Sequence, residues 1–317
     1  MSDSSPSNPS QRVCLIVGCG YLGIRLAKTL IAQGQIVYGT TRTPAKAAQL
    51  SRYGIRPLIL QVTQPVTYAA LTPVLTANKP DVYYLVPPGR ANDAFSPRQV
   101  ILGGIAHMVK ALRQADVRRA ILTSSSAVYG QTGGKRVDAD TPPCPNSERA
   151  KLLLQGEQLW LDAGPNYHVL RLAGMYGPGR IIGARAVREG APLVGEPNAR
   201  LNLIHVDDAV DLLLALARSD TLARVELGCD GNPPTRLEYY RELAVRLGVP
   251  PPKTLDHETA GRMFGLNAER LARSSNKFLD NTATCNRTGW TPHYPDFRAG
   301  FDAIFRQSAH PSPHPTG

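Results

Sequence analysis

Three glycines, Gly18, Gly20 and Gly23, stand in G-x-G-x-x-G spacing within VCLIVGCGYLGIRLAKTLIAQG. An apolar run, Val13 to Val17, precedes them, and a helical pattern with Leu22, Leu26, Leu30 and Ile31 on one face follows. In that setting bare backbone carries the chemistry. The first glycine allows a tight turn, the second lets the main chain approach a diphosphate, and the third lets helix and strand pack closely. The opening amides of the helix and its dipole then face the anion. A dinucleotide is therefore expected against Gly18, Gly20, Tyr21, Leu22 and Gly23. The competing reading is a glycine-rich turn that binds nothing.

A carboxylate about 20 residues further on would select NAD through the ribose hydroxyls. Here the second strand ends in VYGTTRTPAK, so Thr40, Thr41 and Arg42 occupy that place. No Asp or Glu occurs between Ser4 and Pro80, while eight Lys or Arg residues do, so this stretch carries most of the chain's net +11. The fixed donor fork of Arg42 suits a 2′-phosphate, with Lys46 at hand. That predicts NADP(H) first and NAD(H) second, unless Arg42 merely caps a solvent-facing loop. A further set of polar groups, Ser124, Ser125 and Ser126, closes a later strand. Three serines there are poor core material and lie where α/β sheets bind ligands, although they could simply bond the following turn.

Positioning these groups requires a sheet. Strands are predicted at Val13–Val17, Ile36–Thr40, Pro57–Val62, Val82–Val86, Ala120–Thr123 and Val169–Leu172. Helices are predicted at Tyr21–Gln33, Pro44–Arg52, Tyr68–Thr76, Gln99–Ala115 and Glu148–Asp162. This alternation predicts a doubly wound parallel sheet, a Rossmann α/β fold, with its crevice at the carboxyl ends of the strands. After Leu172 the rhythm breaks into Gly, Pro and Arg. A helix near Val206–Arg218 and a strand near Arg224–Leu227 return to the sheet, and a helix at Leu237–Leu247 belongs to the C-terminal part. The expected division is residues 12–173 plus 201–228 as the dinucleotide-binding domain and 174–200 plus 229–307 as a small discontinuous lobe. The Ser/Pro-rich ends, 1–11 and 308–317, are expected to be disordered.

Composition narrows the setting. A chain of 317 residues with 42% hydrophobic and 19% charged residues suits a globular enzyme. No apolar run reaches the ~18 residues of a membrane span, and the N-terminus lacks a signal-peptide pattern. Five scattered cysteines without a C-x-x-C pair suit a reducing cytoplasm and argue against a zinc site. The basic field favours anionic partners, yet the charges are spaced singly, without the interleaved aromatics of a nucleic-acid surface.

In order and spacing, GCGYLG, DVYYLVPPG, AILTSSSAVYG, VLRLAGMYGPG and LNLIHVDDAV resemble the short-chain dehydrogenase/reductase superfamily, in the extended branch that holds NAD-dependent epimerases and dehydratases. The likeness runs from Arg12 to Arg218. KFLDNTATCNRTGWTPHYP and the final helix are similar to the tail of a bacterial subgroup of atypical members. The resemblance implies a Rossmann core with a C-terminal substrate lobe. It also assigns Ser125, four residues before the Tyr of V-Y-G, to orienting a substrate oxygen.

The family relays a proton through a Tyr placed four residues before a Lys that lowers its pKa and holds the nicotinamide ribose. PNSERAKLLLQGEQL puts Lys151 at the lysine but Ser147 at the tyrosine. A serine hydroxyl is a far poorer relay near neutral pH than a phenol. Tyr129 and Tyr176 are stand-ins, against ordinary packing roles, and Lys151 competes with a solvated first-turn lysine. The resemblance further places Gln61 where an adenine-contacting Asp is usual, and Val86 and Pro87 beside the cofactor. Gly174 replaces an Asn common in nucleotide-sugar enzymes. His205, Asp207 and Asp208 are taken as a helix entry capped by Asp207 or Asp208, with no metal.

Two functions follow as expectations: an NAD(P)-dependent oxidoreductase or epimerase acting by hydride transfer on a small polar, anionic substrate, or an NADP(H)-binding sensor with little catalysis. The retained Ser125 and Lys151 favour the first and Ser147 the second. Neither a nucleic acid nor a membrane is expected as partner. The resemblance implies a homodimer through the helices at Gln99–Ala115 and Glu148–Asp162.

Overall fold

Seven short strands follow apolar runs between Val13 and Gly228. They are β1 (Val13–Val17), β2 (Ile36–Thr41), β3 (Arg56–Ile59), β4 (Asp81–Tyr84), β5 (Arg119–Ser125), β6 (Tyr167–Leu172) and β7 (Val225–Gly228). The computed structural model describes residues 11–77, 79–89, 94–113, 115–264 and 276–309. The expected disordered ends fall almost entirely outside these residues. The strands form one parallel sheet in the order β7-β6-β5-β4-β1-β2-β3. The order reverses between β1 and β4, which puts the switch-point crevice of a doubly wound sheet at the carboxyl ends of those two strands. Helices α1 (Tyr21–Ala32), α2 (Pro44–Ser51), α3 (Gly104–Leu112), α4 (Glu148–Leu161) and α5 (Val206–Arg218) accompany the strands.

Two predicted elements differ, each for a backbone reason. The helix expected at Tyr68–Thr76 is a 3-10 segment, Pro65–Leu71, followed by one α-helical turn, Thr72–Leu75. Pro73 lacks an amide proton and its ring would collide with the carbonyl four residues earlier, so one continuous α-helix cannot pass. The helix expected from Gln99 opens as a π-helical turn, Gln99–Gly103, before α3. There the chain lies hard against its neighbours: a Cβ on Gly104 would meet the Tyr84 hydroxyl at 2.7 Å.

The chain divides into two units. The first comprises 1–128, 147–171 and 213–226, and the second 129–146, 172–212 and 227–317. The division differs from the expected one at 129–146, 172–173, 201–212 and 227–228, which belong to the second unit. Backbone pairing explains the first of these. Arg136–Val137 runs parallel to Phe278–Leu279, and the amides of Thr132 and Gly134 donate to the Asn276 carbonyl. A Gly- and Pro-rich stretch has no apolar face to lay on the main sheet, so it completes its hydrogen bonds here instead.

In the first unit Leu15, Val17, Val82, Leu122 and Val169 of the strands bury against Ile105, Met108 and Leu112 of α3 and Trp160 of α4. Trp160 lies between Tyr84 and Tyr167, with centroids 5.6 and 5.3 Å away. One ion pair interrupts this apolar interior. Arg171 Nη2 lies 2.7 Å from Glu157 Oε2, with side-chain exposures of 5% and 2%. The second unit has its own core of Tyr176, Leu203, Tyr239, Leu243, Phe297 and Phe301. It also buries carboxyls. Burial, aided by Asp296 and Asp208, pushes Asp230 up to about 8, and burial pushes Asp208 up to about 6.

Two tests follow. Glu157→Leu leaves the buried Arg171 charge without its carboxylate and should cost about 3–5 kcal/mol in denaturant unfolding, while Glu157→Leu combined with Arg171→Met should restore most of it. Both acids have pKa values raised above 3.8 in the folded state. The folded chain therefore holds protons that the unfolded chain has lost, and stability should fall as pH rises from about 4 to about 8. Asp230→Asn should flatten the upper part of that slope in thermal melts.

Candidate active site

The turn after β1 has little freedom. Gly18 adopts φ +87°, and a Cβ there would lie 3.0 Å from the Val86 amide nitrogen and 3.1 Å from the Leu85 carbonyl. Gly23 is crowded in the same way, 3.0 Å from the Gly18 oxygen and from Ile16 Cγ2. The protein's own packing thus requires two of the three glycines. Gly20 is different: the nearest atom to its Cβ position is the Gly18 oxygen at 3.9 Å. Its bareness serves no packing need and leaves a backbone cradle open at the start of α1. That helix has no side-chain cap at Gly20 and no acid in its first turn, so its first amides and dipole stay directed at the cradle.

Thr40 holds the loop, a role not anticipated from the sequence. Its Oγ1 accepts from the Gly18 amide at 2.9 Å and its carbonyl accepts from Cys19 at 3.1 Å. A threonine closing a strand 22 residues beyond Gly18 gave no distinct signal for such a bond, because the pairing depends on the parallel register of β1 and β2.

The loop opens on a cleft of about 400 Å³ whose wall includes Gly18, Gly20, Thr41, Arg42, Gln61, Val86 and Pro87. Seven of the ten expected cofactor residues therefore share one wall. Of the others, Leu22 is buried in the core, Gly23 packs on β1, and Tyr21 lies under the Arg25 guanidinium, 4.2 Å from its ring centroid. Thr63, Phe95 and Val100 also line the cleft and were not anticipated. Among the described residues none that lines the cleft is acidic, and Arg42 and Lys46 both line it. The helix-capping role belongs to Thr43, which accepts from the Lys46 amide, so Arg42 has no part in that cap. Thr67 Oγ1 bonds both the amide and the carbonyl of Gln61 at 3.1 Å, which fixes the Gln61 backbone at the cleft wall. An open backbone cradle beside two cations suits the diphosphate of a dinucleotide.

The candidate catalytic groups have different surroundings. Ser125, half-buried at the end of β5, accepts from the Ala127 amide at 3.2 Å, which leaves its own proton available to donate. Ser124 is committed elsewhere, donating to Glu157 of the buried pair. Ser147 is the N-cap of α4, accepting from the Ala150 amide at 3.3 Å. Lys151 lies on the exposed face of that helix with its Nζ 2.7 Å from Glu148. Tyr129, in the second unit, is 1% exposed. Tyr176 is fully buried, donates to the Asp296 carbonyl, and has its phenol pushed well up by burial. Neither tyrosine presents an open phenol. The expected cap role of Asp208 is corrected: both its oxygens accept distant amides, those of His293 at 2.7 Å and Tyr294 at 3.1 Å. Among the described residues no helix is long and apolar enough to cross a membrane.

Known proteins share this architecture. Protein YeeZ of Escherichia coli (strain K12) is 28% identical over 285 residues, covering 89% of this chain and 96% of that protein. A 3-diazoavenalumate denitrifying reductase of Streptomyces sp is 25% identical over 302 residues, covering 91% of this chain and 98% of that one. The fold is also that of the Thermus thermophilus UDP-glucose 4-epimerase, solved in complex with NAD, with a TM-score of 0.76 at 18% identity over 95% of this chain and 100% of that one. Residues 14–227 match the model of the NAD dependent epimerase/dehydratase family. With two-thirds of its length in that match, the chain belongs to the NAD dependent epimerase/dehydratase family.

Proposed function

We propose that this chain is an oxidoreductase or epimerase that takes NADP(H) ahead of NAD(H) and acts on a small polar, anionic molecule. The observation that carries the cofactor preference is the cleft wall, where Arg42 and Lys46 stand and, among the described residues, no carboxylate does. Thr41 brings no charge to repel a 2′-phosphate, and the Arg42 fork can donate to it in pairs. The nicotinamide, when bound, supplies hydride chemistry. The chain's residues do the rest. Gly20 admits the diphosphate to the backbone, Thr40 keeps that backbone in place, and Ser125 offers its proton to a substrate oxygen. The Streptomyces relative is named a reductase and the Thermus thermophilus neighbour an epimerase, both within this reading. The basic first half favours an anionic substrate, and five free thiols suit the cytoplasm.

A second reading, a cofactor-binding sensor with little turnover, is favoured by one specific feature. Ser147, at the place of the family's proton-relaying tyrosine, is used as a helix cap, and Lys151 is held by Glu148 at the surface.

Fluorescence titration tests the cofactor preference. NADPH should bind about 10- to 100-fold more tightly than NADH, in line with charge-assisted hydrogen bonds, and Arg42→Asp should reverse the order. Tighter NADH binding by the parent protein would overturn the preference. Hydride transfer to a panel of aldehydes, ketones and nucleotide sugars separates the two functions. Under the enzyme reading the parent turns over and Ser125→Ala loses about 100-fold or more. Absence of turnover in both the parent and Ser147→Tyr, beside micromolar cofactor binding, would favour the sensor.

A further inference from the structure

The opposite edge of the main sheet, at the amino-terminal ends of its strands, holds a second cleft. Its volume is about 310 Å³, near the lower end of the ~300–1,000 Å³ common for small-molecule pockets. Cys14 of β1 and Asp81 and Tyr83 of β4 line it, with α1 and the last turns of α5 as its sides and Arg12 and Arg218 among its residues. Strand register explains the grouping. Cys14 pairs with Asp81 and Ile16 with Tyr83, so alternation turns Asp81 and Tyr83 to the same face.

The polar groups here are only partly accounted for by the fold. Arg118 and Arg119 donate to the carbonyls of Ala217 and Leu216, closing the carboxyl end of α5. Asp81 Oδ2 takes the Arg118 guanidinium at 2.6 Å. Two lining residues carry buried atoms with no hydrogen-bond partner among the described residues, Asp81 Oδ1 and Tyr83 Oη, and Arg118, which pairs with Asp81, carries a third at Nε. Asp81 is 3% exposed and Tyr83 1%. One such atom would mean little, but buried polar groups are nearly always paired, and two on the lining of one cleft mark a place for a ligand's polar end. Arg12 and Arg218 are exposed, and the Gln33 side chain holds the Arg218 guanidinium at 2.9 Å.

The charges select the ligand class. A simple cation would meet several arginines before reaching Asp81, and a simple anion would meet the unshared carboxylate oxygen at the floor. A molecule carrying both charges satisfies both ends. We propose that this edge cleft binds a small zwitterion of amino-acid type, its ammonium at Asp81 and Tyr83 and its carboxylate at Arg12 and Arg218. The site is independent of the cofactor cleft, which lies at the other ends of the same strands.

Calorimetric titration of the full chain with glycine, β-alanine and γ-aminobutyrate tests this, with acetate and methylammonium as single-charge controls. At least one zwitterion should bind while neither control does. Tyr83→Phe, which keeps the ring, and Arg218→Ala, at the surface, should each weaken binding about threefold to tenfold. Saturating NADPH should leave the zwitterion affinity unchanged. The proposal is overturned if no zwitterion binds, if a control binds equally well, if either folded variant binds like the parent, or if NADPH displaces the zwitterion.

Discussion

The structure turns on a close approach of two backbones. The chain leaving β1 passes so near the chain leaving β4 that no side chain fits at Gly18, whose Cβ would lie 3.0 Å from the Val86 nitrogen. These strands flank the point where the sheet order reverses. Their proximity brings the turn before α1 and the Val86–Pro87 segment into one cleft wall. A larger residue at position 18 would separate the strands at the one place where the fold offers a ligand crevice. Thr40 adds the third side, tying the same turn to β2 through its hydroxyl and its carbonyl.

The two halves of the candidate site are built to different standards. On the cofactor side, loop, helix start and cationic wall are all held by strands and by hydrogen bonds within the first unit. On the catalytic side, the residues expected to act together are used separately. Ser124 belongs to the buried Glu157–Arg171 pair, Ser147 to a helix cap, and Lys151 to a surface ion pair. Only Ser125 keeps a hydroxyl that is both partly exposed and able to donate. A buried ion pair is a costly device unless every oxygen and nitrogen is well placed, and this one is bonded through Ser124 to the strand that presents Ser125.

Charge is distributed along the strands in a related way. The carboxyl ends of β1 and β2 face a wall with two cations and, among the described residues, no acids. The amino ends gather arginines around one carboxylate, and two of those arginines complete the end of α5. The positive charge of the first half therefore stands in two settings: Arg42 and Lys46 line one cleft, while at the other end of the strands Arg118 and Arg119 terminate α5 beside a mixed-charge cleft.

Much of this was legible in the residue order because it depends on neighbours in sequence. The alternation of apolar strands with amphipathic helices, the glycine spacing, and the absence of acids between Ser4 and Pro80 are local patterns, and they determined the Rossmann class, the glycine loop and the place of Arg42. What lay beyond the sequence was every feature that joins distant segments. The Thr40 clasp depends on strand register, the pairing of 132–137 with 276–279 on backbone hydrogen bonds, and the hold of Asp208 on His293 and Tyr294 on a contact 85 residues away. Ser147 looked like a lost catalytic residue, and only the helix it caps showed what its hydroxyl does. The sequence by itself determined which elements form and which cofactor chemistry they can cradle, since propensity and periodicity act over a few residues. Tertiary structure alone decided which hydroxyls, acids and cations remain free to act, because a polar group's partner is chosen by proximity in space.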